Sequence, residues 1–421
     1  MTNCTPDPSR SDLPYAALPH VEMGAGFRML SGVRIVDVTT SIAGPYATML
    51  LSDFGAEVIK VERPEGDDSR KWGPPFLDEQ ALWFSAVNRN KKSVVIDAGD
   101  DEGKARLIRL IRTADVFVTN QPPDVQRKLG LDADSIRKIR EDIVFVSITG
   151  FGLTGARANL TSYDLIAEGY SGIMDITGDG DGAPQKIGAP AADMLAGQDA
   201  AMATLAALID RMKGGGGSII DISLAESMTR FLSCRISSYL GSGEVPRRSG
   251  GTDSVIAIYQ PFETADLPIN LGLGSDGIWK RFWKTLGDPE YGARAEFATN
   301  SSRRDHRNAI VARIQKLLLG RSRQEWLAAF AENRIPAGPI NRVDEVTADR
   351  DFHARGLFYA VTSPSGNVVP QVGLGIQIDG RPSTPIRVPP YLGEHTSEIL
   401  DSLPDEDTGA DAAPGKTENW K

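Results

Sequence analysis

One acidic residue, Asp193, lies in a stretch of mostly small residues just before a long apolar pattern. The spacing of that pattern predicts a helix from about Met194 to Lys213, with Asp193 as its N-cap. Because Gly, Ala and Pro surround Asp193, we expect open backbone N–H groups nearby, and a helix N-terminus stabilises negative charge. A carboxylate held there would stay ionised and could attack an electrophile. A purely structural capping role is the competing interpretation.

The elements that must position Asp193 follow from the chain around it. Upstream, strands alternate with helices, which predicts a parallel sheet covered on both faces, with ligands at the carboxyl ends of its strands. The turns at 40–44, 63–64 and 120–122 each follow a strand and should line one rim. We predict strands at 34–38, 56–62, 93–97, 115–119, 143–148 and 218–222. In the predicted helix, the large apolar residues fall on one face: Leu195, Met202, Leu205, Leu208, Ile209 and Met212.

Composition narrows the class of protein. With 421 residues, 41% hydrophobic and 24% charged, the chain can form a large core and is expected to form two domains. A net charge of −10 argues against a nucleic-acid partner. Two cysteines and four scattered histidines predict no disulfide framework and no metal site. We find no signal peptide and no apolar run long enough for a membrane span, and we expect a reducing, cytoplasmic location.

Two short motifs point to chemistry that their surroundings do not favour. Residues 150–155 match GxGxxG after a strand, but the following residues do not open a convincing helix, which weakens a dinucleotide site. Residues 175–180 begin like a calcium loop, but its twelfth position is Lys186 instead of a carboxylate. The sequence has neither a P-loop nor a GxSxG elbow. Nicotinamide redox chemistry and hydrolysis by NTPase, serine or zinc mechanisms are thereby disfavoured.

Motifs spread over most of the chain resemble those of the class III CoA-transferases. The resemblance extends in collinear order from about Leu30 to Leu400, which makes it more specific than any single motif. The family also includes α-methylacyl-CoA racemases. The resemblance is carried by the segments Leu30–Val38, Ala43–Pro45, Phe54–Pro64, Asn90–Ser93, Gly188–Gly197, Ile335–Asn341 and Leu392–Thr396.

The resemblance implies that Asp193 is the nucleophile of a CoA-transferase. The aspartate would attack an acyl-CoA thioester, pass through a mixed anhydride to an aspartyl-CoA thioester, and hand CoA to a free carboxylic acid. Coenzyme A is then a substrate, no cofactor is tightly bound, and backbone N–H groups of glycine-rich segments would stabilise the oxyanion. Gly250 and Gly251 resemble a glycine loop that covers the aspartate in some members, although a plain linker is an equal alternative.

The choice between transfer and racemisation depends on Tyr163. Racemases of the family have a histidine at this position, because moving the α-proton requires an acid and a base on opposite faces. Tyrosine, with an ordinary pKa of about 10, is a poor base at neutral pH, which favours transfer over the alternative of an α-methylacyl-CoA racemase or isomerase. The neighbouring Asp164 could orient the site or act as a base, but we favour a helix N-cap for 165–170.

The resemblance also implies a CoA site at the rim of the sheet. Arg63 and Lys128 would supply cations for phosphates in an otherwise acidic protein. The sequence has Lys at 128 and Gln at 121 where one known transferase pattern has Arg and an aromatic residue, which puts adenine stacking in doubt. The predicted CoA contacts are Thr40, Ser41, Ile42, Ala43, Arg63, Ile96, Asn120, Gln121, Val125 and Lys128.

The expected fold class is α/β, with a Rossmann-like parallel-sheet large domain and a smaller α+β domain in an interlocked homodimer. The partners are acyl-CoA and a carboxylic acid, with oxalate, succinate, a carnitine-like betaine and an aromatic acid all open. Arg247, Arg248, Tyr259, Trp279 and Trp283 are unassigned candidates for the acceptor pocket. We predict a flexible extension at 1–27, the large domain at 28–225, a linker at 226–251, the small domain at 252–345, a return segment completing the large domain at 346–405 and a flexible tail at 406–421.

Overall fold

The computed structural model describes residues 13–24 and 26–404. The chain divides into two compact units. The first contains the chain up to Ser171, then Gly188–Ser233 and the part from Thr347 onward, and the second contains Gly172–Ile187 and Cys234–Val346. The predicted tail at 406–421 and the first twelve residues of the predicted extension lie outside the described residues.

The first unit is built on a parallel sheet. Its strands are β1 Arg34–Asp37, β2 Glu57–Glu62, β5 Lys91–Val95, β6 Val116–Thr119, β7 Val144–Thr149 and β8 Ile219–Ser223. In the chain, the segment between β2 and β5 contains a separate small hairpin of β3 Phe76–Leu77 and β4 Gln80–Ala81. The sheet order is β5-β2-β1-β6-β7-β8, and all neighbours are parallel. The chain moves outward from β1 to β5 and returns on the other side at β6. A topological switch point therefore lies between β1 and β6, where open α/β sheets bind ligands. The predicted Rossmann-like α/β class is confirmed.

Helices cover this sheet and build the second unit. In chain order the helices are α1 Ala43–Asp53, α2 Leu82–Ala86, α3 Asp101–Arg112, α4 Pro123–Leu129, α5 Ala133–Ile139, α6 Asp164–Ser171, α7 Ile173–Ile176, α8 Ala191–Met212, α9 Leu224–Phe231, α10 Ser233–Ser242, α11 Asp276–Thr285, α12 Pro289–Gly292, α13 Asn300–Asp305, α14 Arg307–Leu318, α15 Arg323–Glu332, α16 Val343–Thr347, α17 Arg350–Ala354 and α18 Thr396–Asp401. Short 3-10 turns lie at Pro14–Ala17, Asp68–Lys71 and Ala295–Phe297. The stretch 226–251, predicted as a linker, thus contains most of α9 and all of α10.

Strand β5 begins two residues earlier than the apolar pattern indicated. We expected it at 93–97, where the run of Val94, Val95 and Ile96 lies. The structure has them inside the strand: Lys91 is buried and its Nζ lies 3.1 Å from Asp37 Oδ2, while Lys92 pairs with Glu57. Because their charges are paired, these two lysines can occupy the first positions of a strand, where an apolar pattern does not predict them.

The long helix α8 buries mainly small residues, with Leu208 as the one large side chain among its buried residues. We expected the large apolar side chains to share one face, but Met202, Ile209 and Met212 are 61%, 47% and 70% exposed. The buried residues of α8 are Ala192, Ala196, Gly197, Ala200, Ala201, Thr204, Ala207 and Leu208. This small-residue face packs closely on α1, and a Cβ atom at Gly197 would lie 2.7 Å from the carbonyl oxygen of Ala43. Close approach of two backbones thus selects small residues over large apolar ones at the interface.

The carboxyl-terminal part of the first unit returns to the sheet. Its remaining strands are β12 Phe358–Thr362, β13 Val368–Val372, β14 Gln377–Ile378 and β15 Arg381–Pro382. The backbone N–H of His395 donates to the carbonyl of Ser93, and the N–H of Val95 donates to Thr396 Oγ1 at 3.0 Å. Within the predicted flexible extension, the N–H of Val21 donates to the carbonyl of Ala360. Backbone hydrogen bonds therefore hold both segments to the first unit.

The second unit contains a small antiparallel sheet and an aromatic core. The sheet has the order β11-β10-β9, formed by β9 Tyr259–Phe262, β10 Ile269–Gly272 and β11 Ala337–Pro339. Trp279, Phe282 and Trp283 of α11 are buried in a cluster of aliphatic and aromatic side chains. The two tryptophans that we left open for an acceptor pocket are core residues of this unit.

Candidate active site

Asp193 lies inside the first turn of α8 and is not its N-cap. The helix begins at Ala191 after Pro190, so Asp193 is its third residue, and its side chain is partly buried. The backbone N–H groups of this turn all have acceptors. Ala191 donates to the carbonyl of Ala189, Met194 donates to the carbonyl of Pro190, and Ala192 and Asp193 donate to Asp164 Oδ1 at 2.8 and 3.3 Å. The expectation of open N–H groups here is wrong, because a second carboxylate occupies the end of the helix.

The electrostatics of Asp193 also differ from the expectation. Burial and, second, the negative charge of Asp164 raise the pKa of Asp193 from 3.8 to about 7. The helix N-terminus would favour the ionised form, but its N–H groups already bind Asp164. Asp193 therefore exchanges its proton near neutral pH instead of staying ionised over the whole range. Shifted carboxyl groups of this kind are typical of catalytic sites.

Tyr163 and Asp164 lie next to each other at the start of α6. Tyr163 is 63% exposed. Asp164 is the first residue of α6, and its Oδ1 reaches across to the first turn of α8. The predicted role of Asp164 as a cap is thus found on a different helix from the one we expected. Of the four predicted supporting residues, Asp164 is brought to the head of the helix that contains Asp193, and Tyr163 is its neighbour in the chain.

The packing of α8 on α1 links Asp193 to the predicted CoA turn. Gly197, four residues after Asp193, touches Ala43, the first residue of α1. Four residues of helix span about 6 Å along its axis. The turn at 40–43 leads directly into α1. The proposed nucleophile and the predicted CoA turn therefore belong to one pair of packed helices.

A cleft of about 110 Å³ opens at the switch point of the sheet. It lies beside the carboxyl ends of β1, β2, β5 and β6, where the rim was predicted. The predicted CoA residues that line it are Thr40, Arg63, Ile96 and Gln121. Asn120 closes the gap between β1 and β6: its Oδ1 accepts from the N–H of Thr40 at 3.1 Å, and its Nδ2 donates to the carbonyl of Thr40 at 2.8 Å.

The other predicted CoA residues lie near the cleft without lining it. Ile42 and Ala43 are buried where the turn enters α1. Val125 and Lys128 are on α4, with Lys128 exposed in its last turn. Within the cleft wall, Arg63 pairs at the surface with Asp68 at 3.2 Å. The structure thus places four of the ten predicted CoA residues in the cleft lining.

Gly250 and Gly251 belong to the second unit. The N–H of Gly250 donates to the carbonyl of Gly178 at 2.9 Å, with a φ of 62°. A Cβ atom at Gly251 would lie 2.7 Å from Pro261. Nearby, Arg248 Nη1 lies 3.0 Å from Asp175 Oδ1, so this candidate for an acceptor pocket has an acidic partner within the same unit.

A set of buried charges lies at the cleft and was not predicted from the sequence. The set consists of two ion pairs, Lys60 with Asp67 and Lys91 with Asp37, and all four residues are buried. Burial alone would raise the pKa of Asp37, but Lys91 and Lys60 lower it to about 2. The sequence does indicate these buried charges, because Asp37 and Lys60 are charged residues within otherwise apolar strands.

Among residues 13–24 and 26–404, no group of three or more His, Cys, Asp or Glu side chains is arranged to hold a metal ion. Over the same ranges, no helix combines the length and the apolar character needed to cross a membrane.

Comparison with known proteins identifies the family. The profile described as "CoA-transferase family III" matches residues 30–396. The chain belongs to this family. The transferase is 39% identical to the succinate–glutarate CoA-transferase of Agrobacterium fabrum, over 89% of this chain and 95% of that protein. It is 36% identical to the human succinyl-CoA:glutarate CoA-transferase, over 92% of this chain and 88% of that protein.

Solved structures agree with this assignment. The crystal structure of a CAIB/BAIF family protein from Brucella suis is similar to the transferase with a TM-score of 0.78 and 38% identity, over 89% of this chain and 99% of that chain. The family match and the relatives establish that the chain is a CoA-transferase, which acts on CoA thioesters and carboxylic acids.

Proposed function

We propose that the transferase moves CoA between two acids by covalent catalysis at Asp193. A carboxylate Oδ attacks the donor thioester, the C–S bond breaks, and a mixed anhydride and CoA thiolate form. The thiolate attacks the aspartyl carbonyl, which gives an aspartyl-CoA thioester and releases the donor acid with one oxygen of Asp193. The acceptor carboxylate then attacks this thioester, and the returning thiolate converts the second anhydride into the new acyl-CoA and a regenerated carboxylate.

The observation that supports this proposal is the environment of Asp193. It is a partly buried carboxyl group whose pKa is raised to about 7, at the head of a helix that packs on the predicted CoA turn. A group with a pKa near the working pH is ionised often enough to attack, and it is more nucleophilic than a strongly acidic carboxylate. We assign CoA itself to the cleft at the switch point, with Arg63 as the cation nearest to its phosphates.

We infer that at least one of the two acids is a dicarboxylic acid. Relatives at 31% to 39% identity are named as succinate–glutarate, succinyl-CoA:mesaconate and acetyl-CoA:oxalate CoA-transferases. All of these names include at least one dicarboxylate. Succinyl-CoA as donor and glutarate as acceptor are the first pair to assay.

We propose a homodimer from the exposed apolar side chains of the first unit. Large apolar residues are exposed on α6, α8 and α9, three helices that pack on one another, and apolar surface concentrated in this way is typical of an interaction surface. They include Leu165, Ile166, Met202, Ile209 and Phe231. A particle with the mass of one chain in light scattering would contradict this proposal. The exposed free thiol of Cys234 supports a reducing, cytoplasmic location.

Turnover of a matched pair of variants tests the assignment of the nucleophile. Asp193→Asn should lower the rate of glutaryl-CoA formation from succinyl-CoA and glutarate by about 10³-fold or more. Asp210→Asn makes the same chemical change at an exposed position of the same helix and should leave the rate unchanged. Equal rates in both variants would refute the role of Asp193.

A further inference from the structure

The turn that follows β1 is held in an unfavourable backbone conformation. Ser41 has a φ of 70°, in the left-handed region that residues with a Cβ atom seldom adopt. Such a conformation costs about 1 kcal/mol or more and persists only where surrounding contacts impose it. Thr40, the residue before it, lines the cleft. The contacts that impose this conformation therefore bear on the shape of the cleft wall.

Those contacts come from one buried ion pair. Asp67 Oδ1 accepts from the backbone N–H of Ser41 at 3.0 Å. Lys60 Nζ donates to Asp67 Oδ2 at 2.8 Å and to the carbonyl oxygen of Thr39 at 2.8 Å. Both charged side chains have no exposed surface. The pair thus holds the turn on both sides of Thr40, by the carbonyl before it and the N–H after it.

The same pair governs the charge of the cleft. Asp67 and Glu62 both line the cleft, where anionic phosphates would be repelled by unpaired carboxylates. Lys60 pairs with Asp67, and two nitrogens of Arg70 lie 2.7 Å from the two oxygens of Glu62. Burial would lower the pKa of Lys60, but its acidic neighbours Asp67, Asp37 and Glu62 raise it, so the lysine remains charged.

We propose that Lys60 and Asp67 are positioning residues for CoA: together they hold residues 39–41 in the turn that places Ser41 in the left-handed region, and the thioester substrate binds against that turn. This inference rests on the proposed placement of CoA in the cleft. It predicts a defect in binding, not in chemistry, because neither residue contacts the reacting carboxyl group in this arrangement.

The experiment compares Asp67→Asn with Asp53→Asn. Asp53 also belongs to a buried ion pair of the first unit, 2.5 Å from Arg89, but it does not line the cleft. Asp67 accepts from the N–H of Ser41 with one oxygen and from Lys60 with the other, and an amide has only one oxygen, so Asp67→Asn can keep only one of the two hydrogen bonds. This variant should raise the KM for succinyl-CoA by about tenfold with kcat changed less than about threefold. Asp53→Asn should lower the thermal midpoint comparably and leave this KM unchanged. Equal KM values for Asp67→Asn and the wild type would overturn the proposal.

A rescue variant separates positioning from general damage. Glycine adopts a positive φ without cost, so Ser41→Gly in the Asp67→Asn background should recover part of the lost affinity. No recovery would overturn the claim that the turn conformation is what Asp67 maintains. Because Lys60→Met removes a buried charge and can fail to fold, the conclusion is based on the Asp67 variants.

A blocking variant distinguishes failure of this inference from failure of the CoA assignment. Thr40→Trp places a large side chain in the cleft and should raise the KM for succinyl-CoA strongly. If Thr40→Trp has no effect, CoA binds elsewhere and both claims fall. If it raises KM while Asp67→Asn does not, the cleft assignment stands and the positioning role is refuted.

Discussion

Asp164 Oδ1 accepts a hydrogen bond from the backbone N–H of Asp193 at 3.3 Å, so two carboxylates from different helices meet at the first turn of α8. Asp164 accepts hydrogen bonds from the N–H groups of the turn, whereas Asp193 has a raised pKa. This division of roles explains how a helix N-terminus, which ordinarily favours ionised carboxylates, can instead hold one that titrates near pH 7.

The first prediction concerns the pH dependence of activity. Attack requires the ionised form of Asp193, and this form is lost as the pH falls below its pKa of about 7. We therefore expect kcat/KM to rise about tenfold per pH unit up to pH 7 and to level off above it. A carboxylate with the ordinary pKa of 3.8 would instead give a flat profile between pH 5 and 8. Steady-state rates across this range, with donor and acceptor both ionised, decide between the two.

The second prediction concerns the charge of Asp164. Asp164→Asn keeps an oxygen that can accept from Ala192 and removes the negative charge that helps to raise the pKa of Asp193. The midpoint of the pH profile should move to lower pH, because the remaining cause, burial, acts without the second negative charge. Asp164→Ala also removes the acceptor and should cost about 1 kcal/mol in the free energy of unfolding. An unchanged midpoint in Asp164→Asn would show that burial alone sets the pKa.

The third prediction concerns the packing of α8 on α1. In Gly197→Ala, the new Cβ would lie 2.7 Å from the carbonyl oxygen of Ala43 and 2.9 Å from the ring of Tyr46. This overlap should outweigh the better helix propensity of alanine and lower the free energy of unfolding by about 1–3 kcal/mol in urea titrations.

A helical glycine in open space provides the control for Gly197. Gly241 in α10 has no atom within 4 Å of an added Cβ. Gly241→Ala should therefore be neutral or stabilising by up to about 1 kcal/mol. If both alanine variants behave alike, the close contact between α8 and α1 is not what selects glycine at 197.

The fold was largely predictable from strand–helix alternation, and the errors at β5 and at the buried face of α8 share one physical cause. Apolar periodicity locates buried strands, so β1, β2, β6 and β7 were predicted within about one residue. It fails where burial depends on something other than apolar surface. Lys91 is buried by ion pairing, and Gly197 is buried because two backbones approach closely. Neither property can be read from hydrophobicity.

The position of the cleft was predictable from the sequence, but the electrostatics of Asp193 were not. The switch-point rim follows from sheet topology, and Thr40, Arg63, Ile96 and Gln121 line the cleft there. The charge state of Asp193 depends on Asp164, which is 29 residues away in sequence and comes near only through folding. The helix dipole is a local property that the sequence indicates, whereas this contact between two distant segments is not visible in the residues around Asp193.

The most direct test of the account is the covalent state of Asp193 during turnover. The transferase is incubated with succinyl-CoA without acceptor, quenched in acid and analysed by peptide mass spectrometry. The account predicts an adduct with the mass of CoA minus water on the peptide that contains Asp193, absent from Asp193→Asn and lost when glutarate is added. An unmodified Asp193 in an enzyme that forms glutaryl-CoA under the same conditions would contradict it.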